Sequence, residues 1–201
     1  MCIIHKLRIH YLFYFLTFFL FASISQSKEP IDFIKDITSE ASSILAKSQD
    51  KNAKIIKLRK LAEKNVDIRG VGFYSLGKIR KTLTDSQLKE YEKLFKEYFL
   101  KSFSSRLSEY SDPKINVLSQ DILSKKYTIV SSVLVATENR PEVKIDWRVY
   151  TKNPDKPLIR DLIIEGLSLA RTEKEQFDSV IQSNNGDVTK LFDTLKEFIA
   201  K

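Results

Sequence analysis

Between Glu142 and Ser168 the hydrophobic positions fall into the rhythm of two paired strands. Val143, Ile145, Trp147 and Val149 alternate with Lys144, Asp146, Arg148 and Tyr150, the period-two pattern of a strand with one dry and one wet face. Asn153-Pro154-Asp155-Lys156 has turn chemistry, and a hairpin closed there sets Lys152 opposite Pro157. That register puts Trp147 across from Leu162 and Ile145 across from Ile164 on the dry face, with Arg148 across from Asp161 and Lys144 across from Glu165 on the wet face. Two apolar and two opposite-charge pairs follow from one turn, each worth roughly 0.2–1 kcal/mol. A slip of one residue would scramble both faces.

The first half of the chain has the longer helical period. Ile34, Ile37, Ala41, Ile44 and Leu45 predict an amphipathic helix over Ile31–Lys47, and Ile55, Ile56, Leu58 and Leu61 a second over Asp50–Val66. A third, short helix begins at Val66-Asp67-Ile68-Arg69 and runs through Phe73, Leu76 and Ile79. Gly70, Gly72 and Gly77 interrupt it, which points to close helix packing or a bend. Thr84-Asp85-Ser86-Gln87 matches a capping box and opens the longest predicted helix, Asp85–Tyr110, whose apolar stripe is Leu88, Tyr91, Leu94, Phe95, Tyr98, Phe99, Phe103 and Leu107. Ile115–Leu123 and Tyr127–Thr137 read as strands, the second apolar on both faces and so central. Thr172-Glu173-Lys174-Glu175 predicts the start of a helix bearing Phe177, Val180 and Ile181, and Asp187 caps a last one after the Asn184-Asn185-Gly186 turn. The order is helices, a four-stranded antiparallel meander, then helices: an α+β domain with its helices gathered on the dry face of the sheet. A sheet curved around such a layer can enclose a cone-shaped apolar pocket.

The amino terminus narrows the chemistry. Met1–Ser27 has a basic start (Lys6, Arg8), an apolar run from Tyr11 to Ala22, and Ser25-Gln26-Ser27 with small residues at the minus-three and minus-one positions, the layout of a cleaved secretory signal. The run is shorter than the ~20 residues a membrane-spanning helix needs. Cleavage leaves residues 28–201 as a single exported α+β domain and removes the one cysteine (Cys2), the one methionine and both histidines (His5, His10). The remainder has no means of building a Ser-His or Cys-His nucleophile pair, a Cys/His zinc site or a disulfide. The full chain of 201 residues carries +8; without Lys6 and Arg8 it carries +6. For an exported protein that surplus fits anionic headgroups or acidic protein surfaces better than nucleic acid.

Three stretches, from VDIRGVGFYSLGKIRK through the long helix to LSEY, then VKIDWRVY, then LIRDLIIEGLSLARTEKEQF through the last helix, resemble in order and spacing the MlaC family of periplasmic phospholipid-binding proteins, also called toluene-tolerance auxiliary proteins. The likeness runs from about Val66 to Phe198. Its most specific parts are Trp147-Arg148, Asp161, and Glu165-Gly166-Leu167-Ser168 followed by the Phe177 helix. The chain departs where the family usually has an aromatic pair ending in Trp, here Ile79 and Arg80, and where a late helical Tyr is Phe103. The resemblance implies a periplasmic carrier on a nuclear-transport-factor-like cone, with the acyl tails of a phospholipid held between sheet and helices. It would pass its cargo between an outer-membrane lipoprotein complex and an inner-membrane ABC transporter complex, maintaining outer-membrane lipid asymmetry. It also implies no catalysis and no cofactor, the phospholipid being cargo.

On that basis Phe95, Phe99 and Phe103 of the long helix face Trp147, Val149, Leu162 and Ile164 of the hairpin across a tail-filled cavity, and Lys78 or Arg80 meets the lipid phosphate. Two other readings stand beside it. One is an exported adaptor with a filled core that binds proteins through its basic surface. The other is an enzyme on the same scaffold using Tyr and Asp as proton donors and acceptors, for which the hairpin offers no carboxylate on its dry face.

Overall fold

The computed structural model describes residues 28–47 and 50–201; the segment read as a signal, with its cleavage after Ser27, lies outside them. The elements are α1 (Pro30–Lys47), α2 (Lys51–Asn65), α3 (Ile68–Ser75), a 3-10 turn (Gly77–Lys81), α4 (Asp85–Ser108), β1 (Ile115–Ser124), β2 (Tyr127–Leu134), β3 (Val143–Tyr150), β4 (Leu158–Ile164), β5 (Leu167–Ser168), α5 (Leu169–Ser183) and α6 (Val188–Ala200). All five strands form one antiparallel sheet in chain order.

The local chemistry explains the helix boundaries. Asp50 accepts from the Asn52 and Ala53 N–H groups at the start of α2, and Asp67 accepts from the Gly70 N–H at the start of α3. At α4 the Thr84 hydroxyl accepts from the Gln87 N–H while the Gln87 side chain accepts from the Thr84 N–H, the reciprocal arrangement read from the sequence. The glycine cluster does both things expected of it. A Cβ on Gly72 would lie 2.6 Å from the Phe95 ring, so its absence lets α3 and α4 close up; Gly77, at φ +63, turns the chain.

The hairpin register holds where the side chains demand it and breaks at one residue. Ile145 pairs with Ile164, Trp147 with Leu162 and Arg148 with Asp161, but Val149 pairs with Ile159. Arg160 is therefore the extra residue of a bulge. An uninterrupted register would have set Arg160 against Val149, on the dry face; the bulge moves Ile159 there instead, where it is buried. Arg160 meanwhile donates from Nε to Asp67 Oδ2 at 2.7 Å and from Nη1 to the Tyr127 hydroxyl at 2.6 Å, with its guanidinium 3.7 Å from the Tyr150 ring centroid. Burial alone would lower its pKa, but the hydrogen bonds to Tyr127 and Asp67 outweigh that and raise it.

Three expectations are corrected. The sheet has five strands rather than four, because a two-residue turn at Glu165-Gly166 (φ 49° and 81°) folds Leu167–Ser168 back onto β4; positive φ at both central residues is the turn that matches strand twist. The Lys144–Glu165 contact runs through the main chain: the Lys144 N–H donates to Glu165 Oε1 at 2.5 Å, and the Glu165 N–H donates to the Lys144 carbonyl at 3.1 Å. The last and largest correction concerns Asp161, which is not on a wet face. It is 5% exposed, accepting from the Ser168 hydroxyl at 2.6 Å and the Ala170 N–H at 3.0 Å, with Arg148 Nη1 at 3.5 Å. Ser168 in turn accepts from the Arg171 N–H and so caps α5 four residues before Thr172, where the sequence had placed its start.

The buried apolar residues fall into two clusters. One lies on the dry face of the sheet, where Val130, Trp147, Val149 and Ile159 meet Phe33, Ile34 and Ile37 of α1 and Leu61 of α2. The other is helical, with Tyr91, Phe95 and Leu100 of α4 packed among Val71, Phe177, Ile181, Leu191, Phe192 and Leu195. Helix α2 supplies Leu61 to the first and Ala62 to the second, and Val66 packs against both.

Because three donors converge on one buried carboxylate, Asp161→Ala is expected to cost about 3 kcal/mol or more in urea unfolding. Asp161→Asn, which keeps an acceptor, should cost less. Equal and negligible losses for both would show that the carboxylate joins nothing.

Candidate functional site

The three phenylalanines nominated on α4 form one continuous stripe. At four-residue spacing their rings stack in turn, Phe95 on Phe99 at 6.2 Å and Phe99 on Phe103 at 5.8 Å with only 9° between planes. Exposure grades along the stripe. Phe95 is 2% exposed, held edge-on by Phe177 at 6.1 Å, whereas Phe99 and Phe103 are half-buried.

The four hairpin residues divide in the same way. Val149 is fully buried and Trp147 is 9% exposed, its indole N–H donating to Ser132 Oγ at 2.8 Å while the Ser132 hydroxyl donates to the Ile145 carbonyl at 3.0 Å. Leu162 and Ile164 are half-buried. The helical trio packs in the helical cluster, whereas Trp147, Val149 and Leu162 pack in the sheet cluster. Phe95, Trp147 and Val149 are therefore closed in by packing, whereas Phe99, Phe103, Leu162 and Ile164 keep part of their surface exposed.

Lys78 and Arg80 are exposed on the 3-10 turn, where Arg80 Nη1 reaches the Phe73 carbonyl at 3.5 Å. Periodicity gave no hint of a polar pair beside the stripe. The Tyr98 hydroxyl donates to Glu173 Oε1 at 2.8 Å, joining α4 to α5. Burial holds the Glu173 carboxyl above its ordinary range, against the pull of the Tyr98 hydrogen bond and the Arg106 charge. Burial, and then the Glu173 charge, push the Tyr98 phenol upward. Tyr91 is raised first by burial too, its hydroxyl donating to the Gly72 carbonyl at 2.8 Å. Only its position, four residues along a helix from the Phe177 that packs on Phe95, could have pointed to Glu173. Among the described residues no group of three or more His, Cys, Asp or Glu side chains could hold a metal ion, and no helix is long and apolar enough to cross a membrane.

An antiparallel sheet backed by α1, with a separate helical layer carrying a half-buried aromatic stripe, is an α+β architecture. Residues 35–197 match the family model described as MlaC protein, so the chain belongs to the MlaC family. The match begins within α1, well before the likeness visible by eye. A solved structure, the phospholipid-binding protein from Ralstonia solanacearum in complex with a phospholipid, is similar to this chain with a TM-score of 0.72 and 21% identity, over 86% of this chain and 98% of the other. At that identity the likeness is one of fold. No curated protein sequence matches the chain.

The raised Glu173 carboxyl fixes the sign of a pH effect. Folding favours its protonated form, so its contribution to stability is complete below the ordinary carboxylate range and is lost as pH rises through the higher folded value. Glu173→Gln keeps an acceptor for Tyr98 and removes the titration. Its melting temperature relative to wild type is expected to increase between about pH 4 and about pH 7; a constant difference over that range would contradict the assignment.

Proposed function

We propose that this protein is a phospholipid carrier of the periplasm, exported by a cleaved signal and holding acyl tails in an apolar cavity between the sheet and α4. It would take up lipid at one membrane complex and release it at another, an outer-membrane lipoprotein complex and an inner-membrane ABC transporter complex, without catalysis or cofactor. The observation that carries this reading is the division of apolar surface between two clusters, with Phe99 and Phe103 of the helical one, Leu162 of the sheet one, and Ile164 on β4 left half-buried. Family membership and the phospholipid in the structurally similar Ralstonia protein support it.

Energetics set what a carrier must supply. Each buried methylene is worth about 0.8 kcal/mol, so two chains with about thirty of them are held in a bilayer by something on the order of 20 kcal/mol. Aromatic rings stacked at fixed spacing provide wide apolar contact without the entropy cost of ordering long aliphatic side chains. Two acids of the helical joints are already engaged, Asp161 by Ser168, Ala170 and Arg148 and Glu173 by Tyr98. That favours carriage over proton-transfer chemistry.

Protein purified from a lipid-containing host should show bound phospholipid by native mass spectrometry, and Phe99→Asp or Leu162→Asp should reduce it at least about tenfold, since an ionised carboxylate is expelled from apolar surroundings at a cost of several kcal/mol. Wild-type protein recovered empty would remove the reading. Charge reversal of Lys78 and Arg80 to Glu tests the headgroup assignment read from the sequence: slowed lipid transfer in vitro would support it, and unchanged transfer would take both out of the mechanism.

A further inference from the structure

Where α4 ends, an open-sided pocket of about 550 Å3 is lined by Arg106, Glu109, Tyr110, Ser111 and Arg140. Two arginines from distant parts of the chain meet there. Arg106 lies in the last turn of α4; its side chain is exposed and forms no salt bridge within 4 Å among the described residues, its charge acting on Glu173 from further off. Arg140 belongs to the connection between β2 and β3, where its main chain and that of Thr137 exchange hydrogen bonds. Its guanidinium lies 5.1 Å from the Tyr110 ring centroid. Among the described residues its Nε is the one buried side-chain nitrogen or oxygen with no hydrogen-bond partner.

A buried N–H of a permanently charged group that lacks an acceptor is costly, and two guanidinium groups facing one pocket repel each other. An anion with several acceptor oxygens would relieve both. Glu109 is the acid of the pocket, but its Oε1 is taken by Lys51 Nζ at 2.5 Å, which leaves the surplus cationic. The C-terminal end of the α4 dipole opposes an anion by a fraction of a charge, less than two full guanidinium charges supply.

The position of the pocket says which anion. Arg106 follows Phe103 by three residues and Phe99 by seven, which puts it on the same flank of the helix and about 4–11 Å further along the axis. The stacked stripe thus runs from closed, at Phe95, through half-open, at Phe99 and Phe103, to cationic, at Arg106. Lys78 and Arg80 precede the opposite end of α4, whose 24 residues span about 36 Å. We propose that Arg106 and Arg140 bind the phosphodiester of the phospholipid whose acyl chains lie along Phe99 and Phe103, so that the headgroup end of the site is the end at which α4 stops. This rests on the carrier reading and adds the polar half of the ligand to it. Arginine suits the task because its planar fork meets two phosphate oxygens at once.

The test uses the full chain, stripped of lipid and offered phosphatidylglycerol or diacylglycerol with the same acyl chains, with bound lipid counted by native mass spectrometry. Wild-type protein is expected to take up both and to favour phosphatidylglycerol by about tenfold or more. R106Q/R140Q should lose that preference while still taking up diacylglycerol, which also shows that it has folded, and R106K/R140K should keep part of it. Should the double variant not fold, R106Q alone, at an exposed position, is read in the same way. An unchanged preference in the Gln variants overturns the proposal, as does a preference lost in K78Q/R80Q and kept in R106Q/R140Q. Inorganic phosphate is the remaining arm: if it binds the stripped protein without competing against phosphatidylglycerol, the pocket holds free phosphate and the headgroup assignment is wrong. Wild-type protein that takes up neither lipid sinks the carrier reading instead.

Discussion

The carboxylate of Asp161 joins the sheet to the helical layer. A charge so deeply buried costs several kcal/mol unless donors converge on it, and here they come from β5 through Ser168, from the first turn of α5 through Ala170, and from β3 through Arg148. The positive end of the α5 dipole adds to the attraction. With the start of α5 fixed in this way, Phe177 two turns later is delivered to Phe95 and Tyr91. A second polar joint on the same strand does the corresponding job for α3: Arg160 holds Asp67, and Asp67 holds the first turn of that helix. The placement of the helical layer against β4 thus depends on two ionic joints as well as on apolar packing.

That division has a consequence for the apolar residues. If α4 were positioned by packing straight onto the sheet, its stripe would be spent as core. Instead Phe95 closes against α3 and α5, the sheet residues close against α1, and the half-buried remainder of each group is left over. For the carrier proposed above, fixed backing behind a partly open lining is what a site for flexible acyl chains would require. The chains vary in length and shape, so the walls must hold their position without being filled.

Much of this was legible in the chain. The strand alternation, the dry-face pairs at Trp147 and Ile145, the Thr84 capping box and the aromatic stripe all rest on local rules, and local rules survive folding. What failed was decided by partners distant in sequence. Asp161 reads as half of a surface ion pair until α5 arrives to cover it, and α5 reads as starting at Thr172 until the Ser168 hydroxyl is seen to cap it four residues earlier. Strand β5, with two residues, is too short to show any period. The bulge did leave a trace: the uninterrupted register put Arg160 on the dry face, and a cation in that place should have signalled a break. The stripe was visible, but not its grading from closed to open, because that depends on α3 and α5.

Trp147 is the chain's one tryptophan, and it stands on the sheet side of the proposed cavity, paired across the hairpin with Leu162. Its fluorescence therefore reports on the central claim, that acyl chains lie between the sheet and α4. Protein loaded with a phospholipid brominated at mid-chain should be markedly quenched relative to protein carrying the unbrominated lipid in equal amount. Equal fluorescence, with both lipids bound to the same extent, would place the chains elsewhere and contradict the account.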